Sequence, residues 1–201
     1  MKKPFLYPVL FMMITTAIFV AVLAAFNDAT ANTISFNNEN ELRQKILYVF
    51  DILPESNNSK EIQEIFNSRV VEKKFGDMDG YALMDGNEEI SYAVPIDGAG
   101  LWGSITGYVG LSKDFTKTIG IEFVTQSETP GLGGRISEDF YKEQFRNINI
   151  TNAIDGNYII SKPQQGGNID AISGATQTSA AVVKIVNEDL HELFNAMEVK
   201  K

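Results

Sequence analysis

The sequence predicts an α+β fold: a mostly antiparallel sheet flanked by helices, preceded by one N-terminal transmembrane helix. Three observations predict it. An uncharged run dominated by Leu, Phe, Met, Ile, Val and Ala extends over residues 4–27. From Asp77 to Thr125 the apolar pattern has a period of two, interrupted by Gly, Asn and Asp. The chain then closes on a long stripe with helical spacing. Helices, a meander of strands, then helix, strand and helix is the order of an α+β domain.

The N-terminal run matches the roughly 20 residues that a helix needs to cross a bilayer. Lys2 and Lys3 precede it, which places the N-terminus inside and the rest outside. Ala29-Thr30-Ala31 resembles a signal-peptidase site. The run is longer than the core of about 7–15 residues in a signal peptide, which favours a retained anchor. Residues 30–38 are polar and read as a linker. Leu42, Ile46, Leu47, Phe50 and Leu53 recur at helical spacing, opened by Asn38 or Asn40 and ended by Pro54. Ser59 starts a second helix with Ile62, Ile65, Phe66 and Val70 on one face, fading over residues 73–76.

Strands are expected at 81–84, 89–96, 102–111 and 117–125. Asp85-Gly86-Asn87 is a hairpin signal. Residues 137–146 read as a helix with Phe140 and Phe145 turned inward, and 157–162 as a further strand. The last helix, 178–197, aligns Val182, Val183, Val186, Leu190, Leu193, Phe194 and Met197.

Composition narrows the chemistry. The chain has 201 residues, a net charge of −9, no cysteine and one histidine. Thiolate metal sites, iron–sulfur clusters and cysteine nucleophiles are excluded. A basic stripe for nucleic acid is lacking. His191 lies within the last helical pattern, where it reads as a solvated residue and not as part of a triad.

Three glycine-marked clusters remain: Gly98-Ala99-Gly100-Leu101-Trp102-Gly103, Glu128-Thr129-Pro130-Gly131-Leu132-Gly133-Gly134, and Asp170-Ala171-Ile172-Ser173-Gly174-Ala175-Thr176. Glycine lets a ligand approach the backbone closely. Leu101, Trp102 and Leu132 add a bulky apolar group to the first two, so together the clusters suggest a ligand slot. Neither a Walker loop nor a Rossmann fingerprint is present. Thr176 stands at the mouth of the last helix, and helix N-termini favour phosphate. On residue chemistry alone, Ser173, Thr176 and Thr178 also fit plain helix capping.

The third cluster resembles the flavinylation motif of the FMN-binding domain family: Asp, two variable residues, Ser or Thr, then Gly, Ala, Thr. The second and first clusters resemble two further signatures of that family, in the same order. The resemblance implies covalent FMN on Thr176 through a phosphoester, and no metal ligand in this chain. It implies Asp170, Ser173, Gly174 and Ala175 as the motif around it, recognised by a flavin transferase that takes FMN from FAD. Leu101, Trp102 and Leu132 become candidates to cover the flavin, Glu128 and Thr129 to bond its polar edge, Gly131 to belong to the binding segment between them, and Lys162 to offset phosphate charge. No side chain beyond the flavin is expected to be catalytic.

The implied organisation is a cytoplasmic N-terminus at 1–4, a transmembrane anchor at 5–27, a linker at 28–38 and an extracytoplasmic FMN-binding domain at 39–201. The implied function is that of an electron-transfer subunit in a Na⁺-translocating NADH:quinone oxidoreductase, partnered by other membrane subunits of the redox complex. Gly100-Leu101-Trp102 favours that complex, whereas Gly107-Tyr108-Val109-Gly110 points toward the Rnf ion-translocating ferredoxin:NAD oxidoreductase. The readings from outside the redox complexes are a stand-alone flavoprotein and a non-catalytic, membrane-tethered envelope binding module.

Overall fold

A computed structural model describes residues 6–56 and 58–198. Lys2, Lys3 and the N-terminal segment 1–4 lie outside the described residues. The chain divides into two compact units, Met1–Glu41 and Leu42–Lys201.

The first helix, α1, runs without interruption over Leu6–Val49. This differs from the expected linker at 28–38 and the expected cap at Asn38 or Asn40. The reason is local: neither glycine nor proline occurs between Pro8 and Pro54, and scattered polar residues do not break a helix. Its apolar part is long enough to cross a membrane and is wholly exposed.

Helix α2 spans Ser59–Arg69, with the Asn58 side chain accepting from the Lys60 N–H. It stops where Val70 turns extended. Residues expected to continue the helix instead form β1, Val70–Phe75. The sheet continues with β2 (Met78–Asp85), β3 (Glu88–Ala99), β4 (Ser104–Ser112) and β5 (Thr118–Thr125). All five strands are antiparallel neighbours in sequence order. The expected hairpin forms at Gly86, whose φ is +60°. Trp102, expected within a strand, lies in the tight loop between β3 and β4, where the Gly100 N–H donates to Gly103 O at 2.8 Å.

Each sheet face carries its own apolar layer. On one face Val94, Ile96, Ile105, Val109 and Ile121 pack with Val182, Val186, Leu190 and Phe194. On the other, Leu83 and Ala93 pack with Ile46, Leu47, Val49 and Ile62. Gly110 and Gly120 pair across β4 and β5, and a Cβ on either would stand 3.0 Å from the Val49 carbonyl oxygen. Gly110 therefore serves the seating of α1's last turn, a Cβ on Gly107 would stand 2.3 Å from Glu122 O on β5, and neither glycine lines the ligand slot.

Residues 133–145 are a broken helical stretch: Gly133–Ser137 is a 3₁₀ turn, α3 covers only Asp139–Lys142, and Glu143–Phe145 is again 3₁₀. Phe145 is buried as expected, but Phe140 is half exposed with the Arg135 guanidinium 4.7 Å from its ring centre. Residues 157–162 are not a strand. Asn187 Oδ1 accepts from the Tyr158 and Ile159 N–H groups at 2.8 and 3.0 Å, and Asn168 Oδ1 takes the Ile160 N–H. Side chains thus satisfy backbone donors that a ladder would otherwise use. The last helix, α4, is Thr176–Ala196 and crosses β3 at Gly98, where a Cβ would lie 2.4 Å from Ile185 Cγ1.

Candidate functional site

The three glycine clusters converge. The β3–β4 loop, the segment before the 3₁₀ turn and the start of α4 enclose an open cleft of about 340 Å³. Leu101, Trp102, Thr129, Leu132, Gly174 and Thr176 are among its lining residues. Trp102 is 71% exposed, and Leu101 and Leu132 are each about half exposed. Three bulky apolar groups left open around one cleft are poor packing and a good surface for a flat ligand.

Glu128 joins the three segments. Its carboxylate is buried. Oε1 accepts from the Leu101 and Trp102 N–H groups at 2.8 and 3.0 Å. Oε2 accepts from the Thr178 hydroxyl at 2.6 Å. Burial alone pushes this carboxyl up. The Thr178 hydroxyl and the Trp102 and Leu101 amides outweigh it and hold the group below its ordinary range. Glycine is needed on both sides: a Cβ at Gly100 would sit 2.5 Å from Oε1, and one at Gly133 would sit 2.5 Å from Thr178 Oγ1.

The segment before α4 alternates between buried anchors and exposed small groups. Ile172 and Ala175 are buried, while Ser173, Gly174 and Thr176 are exposed. Gln144 brackets Asp170, accepting from its N–H at 2.7 Å and donating to its C=O at 3.4 Å. The Ser179 hydroxyl accepts from the Ile172 N–H and donates to Ala175 O. Gly174 takes φ +79°, which turns the chain into the helix.

This geometry decides against the capping alternative. The N-cap is Ala175, which has no side-chain acceptor. Thr178 is committed to Glu128. Among the described residues the Thr176 hydroxyl has no hydrogen-bond partner, so it opens α4 with an uncommitted oxygen facing the cleft.

Not every expected residue reaches the cleft. Lys162 Nζ lies 2.9 Å from Asp170 Oδ2, and neither residue lines the cleft, nor does Ser173. Thr129 and Gly131 are exposed on the middle loop, and Gly131 has φ +74°. Gln144, Gln177 and the Glu128–Thr178 link were not among the expected site residues. An acid in one cluster and a threonine in another gave no sign of meeting, since 50 residues separate them.

Residues 100–191 match the model of the FMN-binding domain family. The G subunit of the proton-translocating ferredoxin:NAD(+) oxidoreductase complex of Clostridium ljungdahlii is 36% identical over 118 residues, covering 59% of this chain and 61% of that protein. The C subunit of the Na(+)-translocating NADH-quinone reductase of Vibrio anguillarum is 32% identical over 109 residues, 51% of this chain and 42% of that one. The chain thus spans about half the length of the curated relatives it matches. In fold, it superposes on the crystal structure of the corresponding reductase polypeptide from Parabacteroides distasonis with a TM-score of 0.68. That match has 23% identity and covers 84% of this chain and 96% of that one.

The residues of the domain fit FMN. The cleft supplies apolar faces for a ring system, and the start of α4 supplies the positive dipole end that a phosphate favours. The exposed hydroxyl of Thr176 lies at that end.

Proposed function

We propose that this chain is a membrane-anchored electron-transfer subunit that holds FMN covalently on Thr176, of the kind found in Na⁺-translocating NADH:quinone reductases. One observation carries the reading: an exposed threonine hydroxyl, without a hydrogen-bond partner among the described residues, opens α4 in a cleft rimmed by Leu101, Trp102 and Leu132.

On this reading Thr176 Oγ1 would hold FMN as a phosphoester, with the pyrophosphate bond of FAD cleaved, AMP leaving and the hydroxyl proton passing to solvent or to the transferase. Gly174 and Ala175 keep the segment slim enough for a transferase to enclose it, and Ile172 and Ala175 hold it from behind. FMN, once bound, supplies the one- and two-electron redox chemistry. Leu101, Trp102 and Leu132 exclude water from its faces. The tether makes rebinding intramolecular, which matters for a domain facing a dilute extracytoplasmic pool. Nicotinamide oxidation, quinone reduction and Na⁺ movement belong to partner membrane subunits, and α1 keeps the domain beside them.

The Clostridium relative favours a second reading, membership of a ferredoxin:NAD oxidoreductase complex, because its match has more identity over a longer span than the Vibrio one. Both readings share the flavin site. Co-purification under mild detergent separates them by the partner subunits recovered. Flavin absorbance that stays with the polypeptide after denaturation and desalting supports the covalent site. Loss of all colour on denaturation contradicts it.

A further inference from the structure

We infer that Glu128 and Thr178 form a positioning clip that fixes the flavin-covering loop against the acceptor threonine, and that neither side chain bonds the flavin itself. The inference rests on Thr176 as the attachment point and assigns roles that the motif does not.

The geometry is the argument. Both Glu128 oxygens are already engaged, by three donors from two elements. The group lines the cleft but is only 5% exposed, so little of it is open to a ligand. A ligand seeking a carboxylate there would have to displace a charge-assisted bond. What the contacts do is mechanical. Oε1 draws the peptide units of Leu101 and Trp102 to one point, which sets where those two side chains stand. Oε2 holds the first turn of α4, two residues beyond Thr176. One rigid side chain therefore fixes the distance between cover and attachment point. Gly100 and Gly133 are the clearance that lets it sit there.

Thr178 also has a definite negative role. It lies two residues from the acceptor and carries the same hydroxyl, yet it is 1% exposed and donates to Glu128. It cannot present its oxygen to a transferase without breaking the clip. The clip thus selects Thr176 over Thr178 as well as placing it.

The test compares the full-length protein in detergent with Glu128→Ala, Glu128→Gln, Thr178→Val and Thr178→Ser. Two quantities are read: amide hydrogen exchange at Leu101 and Trp102 in colourless protein, and the rate of FMN incorporation from FAD by purified transferase. Glu128→Ala and Thr178→Val should speed exchange and slow incorporation about tenfold or more, since small misplacements have large rate costs. Glu128→Gln keeps a carbonyl acceptor for the two amides, and Thr178→Ser keeps the hydroxyl, so both should stay within about threefold of wild type. If Glu128→Ala and Thr178→Val leave exchange and incorporation unchanged, the clip is wrong. If Glu128→Gln fails as badly as Glu128→Ala, charge and not geometry is the requirement, and the inference is overturned. Should Glu128→Ala not fold, the Thr178 pair decides alone. A wild type that takes up no flavin would remove the Thr176 reading, while the exchange data would still judge the clip.

Discussion

Gly133 shows how narrowly the site is built. Its missing Cβ is the space occupied by Thr178 Oγ1 and Glu128 Oε2. Thr178 is β-branched and buried, so it has little freedom to retreat. Gly133→Ala should therefore destabilise the domain by about 1–3 kcal/mol, measured by urea unfolding. Asp189 is shifted in the opposite direction to Glu128 and gives a pH prediction. Burial pushes its carboxyl up to about 6; the Asp97 N–H partly offsets this, and Glu192, Asp97 and Glu188 add to the rise. A carboxyl whose pKa is higher in the folded state disfavours folding once it ionises. Its cost is absent below the unfolded pKa, grows as pH rises through about 6 and is full above that. Asp189→Asn should raise the melting temperature at pH 8 and leave it unchanged at pH 3.5; an equal gain at both would contradict this origin. At this scale the sequence singled out Thr176, Leu101, Trp102 and Leu132 by their glycine-marked clusters, and the structure brings these four to one cleft. The sequence was not legible for the partners of Glu128, because hydrogen bonding across 50 residues leaves no local pattern.

Among the elements, α4 does the most. Its apolar stripe covers one sheet face, its first residue presents the candidate hydroxyl, and Asn187 in its middle holds an irregular strand-like segment. Asn187 accepts from the Tyr158 and Ile159 N–H groups and donates to Ile159 O and Val183 O. Asn187→Ala leaves the Tyr158 and Ile159 N–H groups and Ile159 O without that partner and should cost about 3 kcal/mol, read as a lower midpoint in urea with the slope unchanged. The same residue explains a misreading. Residues 157–162 have strand-like chemistry, but one asparagine takes the place of a neighbouring strand. Helix α1 was misdivided for a related reason: polarity at 28–38 suggested a break, and only proline or glycine would have made one. The four strands from residue 78 onward were legible from their β-rich runs and the Gly, Asn and Asp turns between them, even though β3 and β5 each bury four consecutive residues under the two apolar layers. Strand β1 was not, since its apolar residues continue the spacing of α2 and its extended state comes from pairing with β2.

For the molecule as a whole, the arrangement is a helix long and apolar enough to cross a membrane, followed by a sheet domain with the candidate site on its loops. A rigid sheet carrying an open, apolar-rimmed cleft suits a carrier that must exchange electrons with neighbours without releasing its cofactor. The central claim is the bond to Thr176, and intact mass tests it most directly. The full-length chain, co-expressed with a flavin transferase, should gain the mass of one FMN less one water, and peptide mapping should place it on Thr176. Thr176→Ala should gain nothing while keeping the wild-type melting temperature, since the hydroxyl has no partner to lose. An unmodified wild type, or an equal gain in Thr176→Ala, would contradict the account.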